Sequence, residues 1–260
     1  MMTLWEDLAT TDFAALDPAR TVAVLPVAAV EQHGPHLPLG TDAILCDAIL
    51  DRAGAAVGAP GTVLRLPTQR VGLSPEHDSF AGTLTLRAET LLALWTEIGL
   101  SVAAAGVRKL VLFNTHGGQG GVVDAAAQAL RNRAGLLAIR CSSYRFSTPA
   151  GWIPPDEQRY GLHGGLVETS MMLAVAPHLV RSEALRAFPS RAADWEAAIA
   201  GLEVEGESGI AWRAEDLNPE GATGDASAAT PELGERLLTH FATRLARVVD
   251  AAGALGLPPG

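Results

Sequence analysis

Hydrophobic residues in the first half of the chain fall into short aliphatic runs that alternate with longer amphipathic stretches. Continuous aliphatic runs bounded by turn residues are typical of strands buried on both faces, and apolar residues three and four apart are typical of helices. In chain order the pattern predicts strand 21–29, helix 42–57, strand 62–69, helix 88–106, strand 109–114, helix 121–135 and strand 136–145. Strands that alternate with helices indicate an α/β protein, and we predict a three-layer α/β/α sandwich with a mostly parallel central sheet.

The order of elements is looser beyond residue 145. Residues 145–165, RFSTPAGWIPPDEQRYGLHGG, are rich in proline, glycine and aromatic residues, so we predict an irregular loop beside a site. Within residues 168–180 we predict a helix that ends at Pro177. A glycine- and alanine-rich loop then leads into a final amphipathic helix. The predicted apolar face of that helix consists of Leu237, Leu238, Phe241, Leu245 and Val248.

Composition and charge restrict the class of protein. With 260 residues and 48% hydrophobic content the chain can form one sizeable core, and we expect a single domain over residues 1–260. The net charge of -10 argues against a nucleic-acid partner, because phosphate binding needs clustered Lys and Arg. No apolar run reaches the roughly 20 residues of a membrane helix, and the first residues do not resemble a signal peptide. We therefore expect a cytoplasmic protein with a small-molecule substrate and no membrane partner.

Candidate chemistry begins at the end of the first long predicted strand. Glu31 and His33 are two residues apart, so in extended backbone both side chains leave the same face. Asp42 follows at the start of the next predicted helix. In open α/β sheets, binding sites lie beyond the carboxyl ends of the strands, which is where this interpretation puts all three residues.

Two further clusters follow the same logic. His116 comes directly after the strand KLVLFN, and LHGGLVETS supplies His163 and Glu168. A lone histidine at a strand end is commonly a hydrogen-bonded structural residue, but three clusters together favour a metal site. A set of carboxylates and imidazoles suits Zn²⁺, Mn²⁺ or Fe²⁺, and five ligands exceed what one tetrahedral ion uses. We therefore predict two divalent metal ions per subunit, with Asp42 as the bridging carboxylate. The five predicted ligands are Glu31, His33, Asp42, His116 and Glu168.

Four motifs in this order resemble those of the creatininase (creatinine amidohydrolase) superfamily. They are VEQHGPHLPLGTD, FNTHGGQGG, LHGGLVETS and GATGDASAAT. The resemblance implies an α/β/α fold, a divalent metal site that is often dinuclear, and hydrolysis of a non-peptide or small peptide-like C–N bond. It also implies assembly as a homo-oligomer, commonly a homohexamer.

The resemblance assigns roles to individual residues. Glu31, His33, Asp42 and His116 match metal ligands, and His163 matches a catalytic acid/base histidine. Creatininase itself has a metal-binding carboxylate at the position of Gly118 in this chain. Glu168 is the candidate to replace that carboxylate, and whether it acts as a ligand or as an acid/base group stays open. His36 is expected to support a ligand or the loop and not to bind metal itself.

The expected substrate-binding residues come from the loops around these motifs. GLSPEHDSFAGTLTL resembles the substrate loop of the family, which makes Ser74 and His77 candidates; the glycines Gly117 and Gly118 and the aromatic Trp152 are the others. Asn114 or the glycine amides after His116 are candidate donors to a developing oxyanion. The stretch RYGL before His163 lacks the Trp and acidic residues with which creatininase holds creatinine, so creatinine is not the expected substrate.

The predicted function is metal-dependent hydrolysis of an amide-type C–N bond in a small molecule. A metal-activated water would attack, and His163 would carry the proton. Alternatives within the superfamily are a peptidase or deformylase that acts in maturation, or a family member that binds metal without catalysis. A dinucleotide-binding fold would need a small third residue where Val123 stands and an acid where Arg140 stands. A serine hydrolase would need a G-x-S-x-G turn, which does not occur in the sequence.

Overall fold

A five-stranded parallel sheet forms the middle layer of the molecule. The structure is a computed structural model that describes residues 1–58, 61–199, 201, 203–206 and 208–257. The strands lie in the order β1-β3-β2-β4-β5, and each neighbouring pair is parallel. They are β1 (Thr3–Leu4), β2 (Val22–Val27), β3 (Val63–Arg65), β4 (Lys109–Asn114) and β5 (Leu137–Ser142).

Helices cover both faces of this sheet. The five longer ones are α1 (Thr41–Ala56), α2 (Ala88–Ala104), α3 (Gly120–Ala134), α5 (Leu166–Val175) and α8 (Pro231–Ala254). The three shorter ones are α4 (Pro155–Tyr160), α6 (Ala192–Ala198) and α7 (Ala214–Leu217). The short strands β6 (Ala187–Phe188) and β7 (Gly224–Asp225) form a separate antiparallel pair. In the part of the chain that the structure describes, no helix has the length and apolar character needed to cross a membrane.

Alternate residues of the central strands bury their side chains in different layers. Val22 and Val24 of β2 pack into a core with α1, α5 and α8, whereas Ala23 and Leu25 pack into a second core with α2 and α3. Every residue of β2 and β4 is buried, as expected for strands covered on both sides. The predicted three-layer α/β/α sandwich with a mostly parallel sheet is therefore confirmed.

Some predicted boundaries are wrong. The strand predicted over 62–69 ends at Arg65, since Pro67 has no N–H to donate, and pairing with β2 resumes only as an isolated bridge at Gln69. The predicted irregular loop contains α4, which starts at Pro155, where the fixed φ of proline suits a first helical position. In α8, Val249 is buried and Val248 is only half-buried.

The parallel arrangement brings the predicted site residues to one edge of the sheet. β2 and β4 are direct neighbours, and their last residues, Val27 and Asn114, are paired. The loop that carries Glu31 and His33 and the loop that carries His116 therefore start side by side, at the carboxyl ends of the strands.

Lys109, the single lysine of the chain, links the sheet to the last helix. Its side chain is fully buried at the start of β4, and Nζ donates to the carbonyl oxygens of Gly253 at 2.9 Å and Leu255 at 2.7 Å. Carbonyl groups at a helix C-terminus have no partner within the helix and carry partial negative charge. Lys109 supplies the charged donor that they need.

We expect Lys109→Met to lower the free energy of unfolding by about 2 kcal/mol, because two carbonyls lose a charged donor. Urea unfolding followed by circular dichroism measures the change. The control is Arg52→Met, which removes a half-exposed ion pair with Glu235 and should change stability by less than about 1 kcal/mol. An unfolding midpoint for Lys109→Met equal to that of the wild type would contradict this role.

Candidate metal centre

All five predicted ligands lie in one cluster at the edge of the sheet, around His116 and Asp42. His116 Nδ1 lies 3.2 Å from Glu31 Oε1 and 3.4 Å from Asp42 Oδ2. On the other side of Asp42, Oδ1 lies 3.5 Å from His33 Nε2, which in turn lies 3.9 Å from Glu168 Oε1. Residues from three separate parts of the chain thus form one continuous cluster.

Several atoms in this cluster that could bind a metal ion are buried and lack hydrogen-bond partners among the described residues. They are both carboxylate oxygens of Glu31, Nε2 of His33 and Oδ2 of Asp42. Glu31 and His33 are 0% exposed and Asp42 is 3% exposed. Burying a polar group without a partner costs free energy, so native proteins satisfy such groups with a ligand, an ion or water. The unpartnered donors point to a cation as the missing partner.

The spacing of the donors fits a divalent ion. Two donors that each lie about 2.1 Å from a tetrahedral ion are about 3.4 Å apart, and three of the four separations in the cluster are within 0.2 Å of that value. Among the described residues, four groups of three such atoms lie close enough to hold an ion. Two of them consist of predicted ligands alone, one triad of Glu31, Asp42 and His116 and one of His33, Asp42 and Glu168. Asp42 belongs to both triads, which is the geometry expected of a bridging carboxylate.

The loop after β2 is held in place by its own polar groups. Glu31 N–H donates to the Leu39 carbonyl at 2.9 Å, which closes the loop. His33 Nδ1 donates to the Glu31 carbonyl at 3.0 Å, so Nε2 carries the lone pair that faces Asp42. Between them, the side chain of Gln32 donates to His77 Nδ1 at 2.8 Å and to the Gly221 carbonyl at 2.7 Å. Gln32 was not among the predicted site residues.

His116 is oriented by the turn that follows β4. The Asn114 side chain donates to the His116 carbonyl at 2.8 Å and accepts from the His116 N–H at 3.0 Å. Its amide oxygen also accepts from Gln119, so the Asn114 side chain holds the turn together through both ends of its amide. His116 Nε2 donates to the Leu73 carbonyl at 2.8 Å, which leaves Nδ1 free to act as a ligand.

Asp42 and Glu168 are both in the first turn of a helix, α1 and α5 respectively, where carboxylates interact favourably with the helix dipole. Oε2 of Glu168 accepts from the Gly164 N–H at 2.6 Å, while Oε1 faces His33. One carboxylate therefore fixes the backbone next to His163 and also completes the second triad.

Electrostatic interactions within the cluster shift three pKa values. Burial acts to lower the pKa of His33, but the surrounding carboxylates, Asp42 first, outweigh burial and raise that pKa to about 10. The pKa of His116 is also raised well above its usual value, because Glu31 and Asp42 outweigh the effect of burial. Burial acts to raise the pKa of Asp42, yet His33 and His116 hold it below its usual range. The cluster therefore attracts positive charge, either as protons or as a metal cation.

His163 lies beside the two triads. Its Nε2 donates to the Gln32 carbonyl at 2.6 Å, and its Nδ1 faces Glu31 Oε1 at 3.8 Å. Its ring stacks between those of His33 and His77, with centroid distances of 4.2 Å and 4.3 Å. Burial lowers the pKa of His163, and His33 acts in the same direction, so both favour the neutral ring. A neutral imidazole with a free Nδ1 can accept a proton.

Gly118 is where this chain departs from the creatininase pattern, and its surroundings explain the glycine. A Cβ at position 118 would overlap the carboxylate of Glu76 and would lie 2.8 Å from His116 Nε2. Glu76 was not among the predicted site residues, yet its Oε1 lies 3.3 Å from His116 Nε2. Only glycine leaves room for Glu76 and His116 together, and Glu168 contributes the carboxylate of the second triad.

A cavity of about 930 Å³ opens beside the cluster. Pockets for small molecules usually have volumes of about 300–1,000 Å³, so this one is large. Three of the residues predicted to bind substrate, His77, Gly117 and Gly118, line it. Its lining also includes the apolar side chains of Phe146, Ile153 and Trp212.

The other two predicted substrate-binding residues do not line this cavity. Ser74 is fully buried, and its hydroxyl lies 3.5 Å from His116 Nε2, so it contacts the histidine and not the cavity. Ile153 lines the cavity, whereas its neighbour Trp152 lies beside another pocket. Its ring packs against His240, and the Arg236 guanidinium carbon lies 4.2 Å from the ring centroid, beside a shallow groove on α8. His36 is buried and contacts the Gly164 carbonyl at 2.8 Å through Nε2, in line with a supporting role.

The sequence and the fold are similar to known proteins. A family model described as creatininase, creatinine amidohydrolase, matches residues 6–249. A mycofactocin precursor peptide peptidase of Mycobacterium tuberculosis (strain CDC 1551 / Oshkosh) is 37% identical over 170 residues, which cover 63% of this chain and 62% of the relative. A protein of the same name from Mycobacterium ulcerans (strain Agy99) is 31% identical over 245 residues, or 90% of this chain and 87% of the relative. A solved structure described as "Creatininase Mn" covers 100% of both chains, with 25% identity and a TM-score of 0.76.

The family model covers nearly the whole chain, and the fold agrees with it. The protein therefore belongs to the creatininase family. The cluster at the carboxyl ends of β2 and β4 is called the metal-type cluster below, and it consists of Glu31, His33, Asp42, His116 and Glu168. This buried set of carboxylates and imidazoles fits a divalent metal ion.

We expect Gly118→Ala to weaken Zn²⁺ binding by about 10- to 100-fold, the usual effect of disturbing a group that orients a metal ligand. The flexible Glu76 side chain can move aside, but the His116 ring must also shift. Competition with a chromophoric chelator measures the affinity. The control is Gly117→Ala, because a Cβ there meets nothing within 4 Å. Equal losses of affinity in the two variants, or no loss in either, would contradict this explanation.

Proposed function

We propose that the chain is a metal-dependent amidohydrolase that cleaves an amide-type C–N bond of a small molecule. The observation that carries the proposal is the group of buried, unpartnered donor atoms on Glu31, His33 and Asp42. These atoms lie together at the edge of a large cavity, as a catalytic metal site requires.

The proposed cofactor is a pair of divalent ions, Zn²⁺, Mn²⁺ or Fe²⁺. Glu31, Asp42 and His116 would hold one ion, and His33, Asp42 and Glu168 the other. When bound, such ions supply activated water at neutral pH and polarise a carbonyl oxygen. Attack by such a water would need no serine or cysteine nucleophile.

The proposed role of His163 follows from its two nitrogens. The hydrogen bond from Nε2 to the Gln32 carbonyl fixes the ring and the tautomer. Nδ1 faces the cluster, where it would accept the proton of the attacking water and return it to the leaving nitrogen. Glu168 is proposed as a ligand and not as the acid/base group, because its two oxygens already face His33 and the Gly164 N–H.

A second candidate function is cleavage of a peptide. The size of the cavity supports it, since about 930 Å³ with apolar walls exceeds the needs of a molecule as small as creatinine. The names of the mycobacterial relatives support it as well. A deformylase, or a family member that binds metal without turnover, is distinguished by experiment. Location in the cytoplasm, a single domain and assembly as a homohexamer remain predictions from the sequence.

The first test is the metal content of Asp42→Asn. The amide keeps the size of the side chain but removes the charge that both triads share, so we expect about two ions per wild-type chain and at most one in the variant. Mass spectrometry of the purified, dialysed protein gives the ratio. A wild type with one ion or none would remove the dinuclear site from the proposal.

The second test is activity. Protein loaded with Mn²⁺ or Zn²⁺ is screened against formamides, cyclic ureides, creatinine and short peptides, and we expect turnover of at least one class other than creatinine. His163→Gln should lower kcat by about 10²- to 10⁴-fold with unchanged metal content, since general acid–base catalysis contributes that much. His178→Gln, an exposed histidine, is the control. Turnover by His163→Gln at the wild-type rate would contradict the proposed role, and no turnover of any class by the wild type would favour the non-catalytic alternative.

A further inference from the structure

Glu157 of α4 is a buried carboxylate that the proposed chemistry does not use. The residue is 8% exposed. Within the described part of the chain no Arg, Lys or His forms an ion pair with it. A buried carboxylate without a cation is costly unless several hydrogen bonds satisfy it. Its partners therefore indicate what it is for.

The two oxygens of Glu157 bind two backbone N–H groups from distant segments. Oε1 accepts from Leu166 at 2.6 Å, at the first residue of α5, and Oε2 accepts from Asp225 at 2.8 Å, in β7. Short bonds from N–H groups to a charged oxygen are the stronger kind, and the N-terminus of a helix favours a negative charge. Glu157 thus ties α4, α5 and β7 together.

Three glycines make room for this carboxylate. A Cβ at Gly161, Gly165 or Gly224 would overlap Oε1 of Glu157. Gly161 and Gly165 bound the short segment 161–165, and Gly224 lies in β7 with a φ of +110° that other residues rarely adopt. The backbone on three sides is therefore shaped around one side chain.

The segment enclosed in this way carries His163. The His163 carbonyl accepts from the Thr223 N–H at 2.7 Å, and the Thr223 hydroxyl accepts from the Leu162 N–H at 3.1 Å, so the segment pairs with the strand that Glu157 also holds. The imidazole reaches across to the Gln32 carbonyl and Glu31. A shift of Leu166 or of β7 would move the backbone on either side of His163.

We propose that Glu157 is a positioning residue, which holds segment 161–165 and with it the imidazole of His163 against the metal-type cluster. Glu157 acts through the backbone and does not touch the reacting atoms. The link to catalysis rests on the proposed function, in which His163 carries the proton. The claim that Glu157 sets the position of the His163 ring rests on the contacts alone.

Kinetics test the link to catalysis. Glu157→Gln keeps the shape but sets an amide N–H₂ against one backbone N–H. We expect kcat to fall about 10- to 100-fold, as a small misplacement of a catalytic group can cause. Glu157 also lines the cavity, but the Gln side chain has the same shape, so KM should stay within about twofold. Metal content should equal that of the wild type. Asp156→Asn, an exposed carboxylate on the same helix, is the matched control and should keep the wild-type kcat.

A double-mutant cycle separates positioning from general loss of structure. If Glu157 acts through His163, Glu157→Gln lowers kcat in the wild-type background but adds less than about twofold in the His163→Gln background. An effect on the structure alone lowers kcat by the same factor in both backgrounds. Equal factors in the two backgrounds, or an unchanged kcat in Glu157→Gln, would overturn the proposal.

A second readout needs no substrate. In zinc-loaded protein with ¹⁵N-labelled histidines, the ring signals of His163 are identified by their loss in His163→Gln. We expect these signals to shift in Glu157→Gln and to stay in place in Asp156→Asn.

Glu157→Asp, which keeps the charge but is too short to reach both N–H groups, covers failure of the amide variant to fold. Unchanged His163 signals in the Glu157 variants would overturn the proposal. Absence of turnover in the wild type would count only against the proposed function.

Discussion

The site depends on negative charge that is concentrated on buried side chains beside an open cavity. Glu31 and Asp42 are buried together, and neither the chain nor its hydrogen bonds fully satisfy their oxygens. Two carboxylates with oxygens within 4.8 Å of each other repel and lose hydration, and compensating positive charge offsets that cost. The imidazoles of His33 and His116 supply nitrogen donors on either side, and the spacing of all these atoms suits a divalent ion. Folding therefore leaves an unsatisfied charge, and binding a cation relieves it.

The parallel sheet is what makes this concentration possible. Adjacent strands β2 and β4 run in the same direction, so the loops after them meet at one edge without a long connection. Helices α1 and α5 then present Asp42 and Glu168 from their first turns, where the helix dipole favours carboxylates. The strands and helices are held by apolar packing on both faces, which keeps the ligands rigid. Polar groups around the cluster fix the imidazoles. The Leu73 carbonyl accepts from His116, and Gln32 bonds to His77 and His163.

Much of this arrangement could be predicted from local patterns in the sequence. The strands and helices of the first half follow from strong periodicity, and Glu31, His33 and His116 follow from their positions just after strands. Other features depend on contacts between distant residues. The carboxylate of Glu76 fills the space beside Gly118, and no spacing along the chain reveals it. Glu157 binds the N–H of Asp225, which is 68 residues away. Trp152 packs against His240 and Arg236 beside a groove on α8, so an aromatic residue in a loop near the site proved to be a poor indicator of the cavity wall.

Anomalous X-ray diffraction at the zinc absorption edge, on crystals of zinc-loaded protein, tests the central claim most directly. The account predicts two anomalous peaks on either side of the Asp42 carboxylate, one within about 2.3 Å of donors on Glu31 and His116 and the other within the same distance of donors on His33 and Glu168. A map with no peak in the cluster, or with peaks only at sites that do not contact Asp42, would contradict it.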